Sequence, residues 1–173
     1  MKGVIAICLE QLVVEKFGKD KWEKVLTSIG LPADTKFLPT ADIDDAAVMA
    51  AIKATCTVLG ITLAQAADAF GDYWVNVYAK NMYGAYYLKP KNAKEFLLAM
   101  DKVHERTTMT VANAHPPRFE YEEKDAKTLI MKYQSKRGLI DILMGLVKGV
   151  GKHFNESLKV TKLDESRLQI VFP

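Results

Sequence analysis

Apolar residues recur every three or four positions through the first two-thirds of the chain, and at every second position through much of the rest. Ile5, Leu9, Leu12 and Val13 mark a helix over 3–17, stopped by Gly18. Trp22, Val25, Leu26 and Ile29 mark a second over 20–29, ended by Gly30 and Pro32. After a loop over 32–43, Asp44 is set to cap a helix running to Leu59, with Gly60 as its stop. Thr62 caps the next, over 63–82, which carries Ala66, Phe70, Trp74, Val77 and Tyr78. An aromatic cluster follows at Tyr83, Tyr86 and Tyr87, and Pro90 breaks the chain. Asn92 stands three residues before Glu95, a relative of the capping box. The helix it opens is expected to run to residue 112, with Phe96, Leu97, Met100 and His104 on its inner stripe.

Ala114-His115-Pro116-Pro117 cannot continue a helix. Beyond it the period falls to two: Arg118–Glu122 alternates, with Phe119 and Tyr121 on one face, and Lys127–Ser135 reads as a second strand. Gly138–Phe154 is a helix with Ile142, Leu143, Leu146 and Val147 on its apolar side. Two more strands, Glu156–Leu163 and Arg167–Phe172, join at Asp164-Glu165. Helices first and a sheet with one helix after is an α+β pattern. The length suits one domain, or two subdomains sharing a core: residues 1–62, helical, and 63–173, carrying the sheet. The change of period near 112–117 reads as a seam, and ligand sites favour seams.

Composition narrows the function classes. With 24 basic and 21 acidic residues, the net charge of +3 argues for neither nucleic acid nor a membrane surface. Cys8 and Cys56 sit among apolar residues in predicted helices and read as free thiols, and no clustered Cys/His pattern suggests zinc. The apolar runs Val4–Leu9 and Gly138–Val147 are too short for a signal peptide or a membrane span, so the expectation is a cytoplasmic protein. No serine–histidine–acid set, phosphate loop or paired-carboxylate motif is present, so it is not read as an enzyme.

The chemistry concentrates at Tyr133-Gln134-Ser135-Lys136-Arg137. Residues two apart in a strand share a face, so continued extended geometry would project a phenol, a hydroxyl and a guanidinium together. All three donate hydrogen bonds, and the guanidinium fork suits a carboxylate or phosphate. A solvated strand end is the plainer reading. His104, on the apolar stripe of its helix, reads either as a core imidazole bonded to a backbone carbonyl or as a metal ligand. His115, beside prolines, and His153, at a helix end, read as structural or solvated.

Tyr-x-Ser-x-Arg downstream of a helical histidine resembles the H-NOX haem domains, bacterial relatives of the haem domain of soluble guanylate cyclase. The opening Met1-Lys2-Gly3 and the Pro116-Pro117-Arg118 segment share the likeness, which runs over essentially the whole chain. The resemblance implies a helical N-terminal subdomain packed on a C-terminal one with a four-stranded antiparallel sheet, and haem b between them. It implies that His104 is the axial iron ligand, that Tyr133, Ser135 and Arg137 hold the propionates, and that Pro117 presses on the porphyrin. Met1, Ile5 and Leu9 would face the haem.

The resemblance also bears on the gas. Oxygen-binding members carry a distal tyrosine, and the matching position is Ile142, with Leu146 one turn on. Both are apolar, which favours nitric oxide. Trp74 and Tyr78 align with the same pocket and each carries a donor. The implied function is a nitric oxide sensor: the gas weakens the iron–histidine bond, the subdomains rotate, and a histidine kinase or an enzyme of cyclic di-GMP turnover reads the change. A carbon monoxide or oxygen sensor is the alternative within the fold. A haem-free protein, binding an anionic small molecule through the Tyr133–Arg137 cluster, is the alternative of another class.

Overall fold

The computed structural model describes every residue, Met1–Pro173, and the chain divides into two compact units, Met1–Ala66 and Ala67–Pro173. The first unit holds α1 (Gly3–Phe17), α2 (Lys19–Ser28), α3 (Asp45–Leu59) and the opening turn of α4 (Leu63–Tyr73). Its interior is the predicted stripe set, with Leu9, Leu12, Val13, Trp22, Val25 and Leu26 buried. The predicted caps form. The Asp44 side chain accepts from the Ala46 N–H at 2.9 Å, and Gly60 takes a left-handed conformation at φ 66°. Thr62 and Gln65 cap reciprocally: the Gln65 N–H donates to the Thr62 hydroxyl at 3.2 Å, and the Thr62 N–H to Gln65 Oε1 at 2.9 Å. Cys8 and Cys56 are free thiols in this unit, and burial pushes Cys8 up to about 12.

The second unit is a four-stranded antiparallel sheet with helices against one face. Its strands are β1 (Arg118–Glu123), β2 (Thr128–Gln134), β3 (Lys159–Asp164) and β4 (Arg167–Val171), in the order β1-β2-β4-β3. Phe119, Leu129, Met131, Tyr133, Leu168 and Ile170 form the inner face. They pack on Phe96 and Leu97 of α6 (Ala93–Thr108) and on Ile140, Leu143, Val147 and Val150 of α7 (Ile140–His153). The protein is α+β. No single helix is long and apolar enough to cross a membrane.

Four expectations need correction. The helix expected over 63–82 is interrupted: after α4, residues Trp74–Tyr78 form a π-helical turn, and α5 (Ala79–Tyr83) continues beyond it. The Ala79 N–H bonds the Trp74 carbonyl, and the Tyr87 hydroxyl donates to the Val75 carbonyl at 2.9 Å. Second, α6 ends at Thr108 rather than near 112. The Thr107 and Thr108 hydroxyls donate to the Val103 and His104 carbonyls at 2.8 and 2.6 Å, and Asn113 turns left-handed at φ 55°. Third, β2 stops at Gln134 and α7 starts only at Ile140, because Gly138 adopts φ 63° and turns the chain between them. Fourth, the 112–117 segment is no seam between units; it lies inside the second one.

Helices α4 and α7 meet backbone to backbone through Ala67, Gly71, Gly145 and Gly149. A Cβ on Gly71 would lie 2.1 Å from the Gly145 carbonyl carbon, and one on Gly145 would lie 2.0 Å from the Ala67 carbonyl oxygen. Lys148–Asp68 and Lys152–Asp72 ion pairs flank the crossing, and the Asn76 amide donates to the Gly149 carbonyl at 3.2 Å. Glycine to alanine inside a helix normally stabilises it by about 1 kcal/mol. Here Gly145→Ala is expected to destabilise by about 1–3 kcal/mol, because the helices must part. Gly84→Ala, where a Cβ meets nothing, is the control. Urea melts compare them, and a Gly145→Ala protein as stable as its parent would show that the contact yields freely.

Candidate functional site

Helix α6 presents His104 two turns after Phe96, half-buried, with its ring centroid 5.3 Å from that of Phe119 on β1. Its Nδ1 lies 3.2 Å from the Pro117 carbonyl oxygen. A carbonyl can only accept, so Nδ1 carries the hydrogen and Nε2 of the neutral ring keeps a lone pair. Burial lowers the His104 pKa from its ordinary value, against the opposing pull of the Pro117 carbonyl and of Asp101. The neutral form, the one with a free nitrogen, is therefore favoured.

The segment bearing Pro117 is held from a second direction. The Asp101 carboxylate, one turn before His104, accepts from Arg118 Nε at 2.8 Å, Arg118 Nη2 at 2.6 Å and the Phe119 N–H at 2.9 Å. This fork fixes the start of β1 to α6 directly after Pro117. Neither Asp101 nor Arg118 has a sequence signal as a partner of the other, since they pair across a turn and a proline loop. The Arg118 hydrogen bonds hold the Asp101 carboxyl down to about 2, from an ordinary 3.8. A depressed carboxyl contributes stability above its unfolded value and loses it as pH falls through the folded one. Asp101→Asn is thus expected to melt below the parent near neutral pH and to converge on it between pH 3.8 and about 2. A melting difference that does not change over that range would contradict the assignment.

Tyr133 is buried near the end of β2, opposite Phe119, with ring centroids 6.2 Å apart. Phe119 thus bridges the His104 and Tyr133 rings. Ser135 and Arg137 do not share the strand geometry expected of them, because they follow the end of β2. The Ser135 hydroxyl accepts from the Arg137 N–H at 3.3 Å, forming a local turn, and the Arg137 guanidinium donates through Nη1 to the His115 carbonyl at 2.5 Å. His104, Pro117, Tyr133 and Arg137 are therefore linked, but through a turn and not an extended edge. His153 is enclosed by aromatic rings, with Tyr87 at 5.1 Å and Phe154 at 4.8 Å.

Trp74 and Tyr78 lie on the π turn with ring centroids 5.3 Å apart, and Phe70 stacks on Trp74 at 5.9 Å. Helix α7 packs on this segment. Ile142 and Leu146 are half-buried on α7, outside the fully buried row of Leu143, Val147 and Val150. Met1, Ile5 and Leu9 belong to the first unit: the Met1 ammonium pairs with Asp45 at 2.6 Å, Ile5 is half-buried and Leu9 buried.

No three His, Cys, Asp or Glu side chains gather to hold a bare metal ion. A single imidazole with a fixed tautomer suits a metal already held by a macrocycle, as in haem proteins with one proximal histidine. The nearby phenol, hydroxyl and guanidinium are donors of the kind an acidic porphyrin edge needs. The residues present fit a haem.

Comparison with known proteins agrees. A soluble guanylate cyclase of Caenorhabditis elegans, gcy-32, is 28% identical over 174 residues, covering 98% of this chain. The chain spans 25% of that relative's length. The solved structure of an oxygen-binding H-NOX domain related to soluble guanylate cyclases superposes with a TM-score of 0.81 at 25% identity, covering 99% of this chain and 95% of that one. A T. Tengcongensis H-NOX mutant gives a TM-score of 0.84 at 25% identity, with 99% and 97% covered. The family model described as Haem-NO-binding matches residues 2–162. With nearly the whole chain inside that match, this protein belongs to the haem-NO-binding family of H-NOX domains, haem-based gas-sensing modules that are not themselves catalysts.

Proposed function

We propose that this H-NOX domain senses nitric oxide, with haem b ligated by His104. The observation that carries the reading is the Nδ1–H bond from His104 to the Pro117 carbonyl, which leaves Nε2 as the one free imidazole lone pair. Held by His104, haem would supply a ferrous iron able to bind a diatomic gas. Tyr133, Ser135 and Arg137 would donate to its propionates. By the family likeness, Pro117 would bear on the porphyrin face, and Met1, just before α1, and Ile5 on it would face the cofactor. By the same likeness, Trp74, Tyr78, Ile142 and Leu146 of the second unit, with Ile5 and Leu9 of the first, would line the distal side.

The apolar Ile142 and Leu146 side chains favour nitric oxide. Bound dioxygen is strongly polarised and gains from a donor, whereas nitric oxide and carbon monoxide need one less. Oxygen sensing is the second reading, and it rests on the indole of Trp74 and the phenol of Tyr78, stacked on the segment against α7. A shift of His104 would pull on the Pro117 carbonyl and, through Arg118, on β1, which gives the ligand signal a route into the sheet. A partner protein of the histidine kinase or cyclic di-GMP class would read the changed surface, a cytoplasmic role. A ligand shifts such an equilibrium only by its difference in affinity for the two shapes. An absorption spectrum of the purified protein supplied with haem tests the cofactor assignment. An intense Soret band that shifts when nitric oxide is added is expected; no Soret band would contradict it.

A further inference from the structure

We propose that Arg137 is also a positioning residue for the Pro117 loop, acting through the backbone as well as through any carboxylate it binds. Deepening the haem reading, the proposal starts from the loop between α6 and β1, Met109–Pro117. Within that loop the Val111 N–H donates to the Thr108 carbonyl at 2.9 Å and the Ala114 N–H to the Val111 carbonyl at 3.2 Å. At its far end, His104 Nδ1 holds the Pro117 carbonyl and Asp101 holds Arg118. In between, Ala114–Pro117 forms no helix or strand, and its two prolines have no N–H to donate. A side-chain anchor for this middle stretch is the Arg137 guanidinium, donating to the His115 carbonyl.

Arg137 is itself set by the turn after β2, where its own N–H is taken by the Ser135 hydroxyl and Gly138 reverses the chain. A guanidinium offers five N–H groups in a rigid fork, so one arm can hold a carbonyl while others engage an anion. The same group that meets the cofactor's carboxylate edge therefore also locates the peptide two residues before Pro117. How firmly the proline bears on the porphyrin then depends on Arg137 even when no carboxylate is present.

The test separates the two roles with haem dimethyl ester, whose propionates carry no charge. Parent and Arg137→Ala proteins, each carrying the ester, are compared by hydrogen exchange at the Val111 and Ala114 amides and by haem midpoint potential. A charge-assisted hydrogen bond lost at a partly exposed site should speed exchange by about tenfold, and the potential should shift. Arg137→Lys, which keeps the charge but not the fork, should fall between the two. Equal exchange rates and equal potentials for parent and Arg137→Ala in the ester form would overturn the proposal, because Arg137 would then act through the propionates alone. A protein that takes up neither porphyrin would contradict the haem reading. The same exchange comparison on that porphyrin-free protein would still decide whether Arg137 holds the loop.

Discussion

His104→Gly is expected to strip most of the haem from the protein, and imidazole supplied during expression is expected to restore it. The substitution removes the proposed protein bond to iron together with the Nδ1–H bond to the Pro117 carbonyl. It leaves the clamp between Asp101 and Arg118 in place, so α6 and β1 should stay joined. The imidazole-shaped space beside Phe119 can then accept free imidazole, which offers iron the same nitrogen. Haem content per protein and the ferrous absorption spectrum check this. Normal haem content with an unchanged ferrous spectrum would rule out His104 as the ligand.

Ile142→Tyr is expected to create a detectable oxygen complex where the parent forms no stable one in air. The new phenol would stand on α7 at the edge of its buried row and not within it, so it need not displace Leu143 or Val147. A hydrogen bond to a charged acceptor is worth about 1.5–3 kcal/mol, roughly one to two decades in affinity. Overpacking costs about 1–3 kcal/mol and reduces the gain. Oxygen titration of both ferrous proteins reads the difference. A parent that already binds oxygen tightly would point to Trp74 or Tyr78 as the donor.

Much of this fold was legible because its signals are local. Asp44, Thr62 and Asn92 cap the helices that their positions suggested, Asn92 by accepting from the Glu95 N–H at 2.8 Å. The switch from a period near 3.6 to one of two located the sheet. What escaped depends on distant partners. The π turn at Trp74–Tyr78 falls within an apolar spacing that reads as an ordinary helix, and the Tyr87 hydroxyl that caps its Val75 carbonyl comes from beyond α5. The spacing of Gly145 and Gly149 is visible along α7, yet nothing in it names Gly71 as the opposite surface.

The candidate site divides the same way. His104 and Pro117 were chosen through a resemblance in motif order, and the fold sets the two beside one another. Asp101 and Arg118 were missed, because a carboxylate on a helix and a guanidinium on a strand are ordinary surface residues until the fold pairs them. Strand alternation does not extend to Ser135 and Arg137, since β2 ends at Gln134 and Gly138 turns the chain.

Selective sensing of nitric oxide at a His104-ligated haem is tested by one spectroscopic titration of the ferrous protein. The sample is equilibrated with air and then given nitric oxide in stoichiometric amount. No stable oxygen complex is expected in the first stage, and complete conversion to a nitric oxide spectrum in the second. A stable oxygen spectrum that persists in air would contradict it.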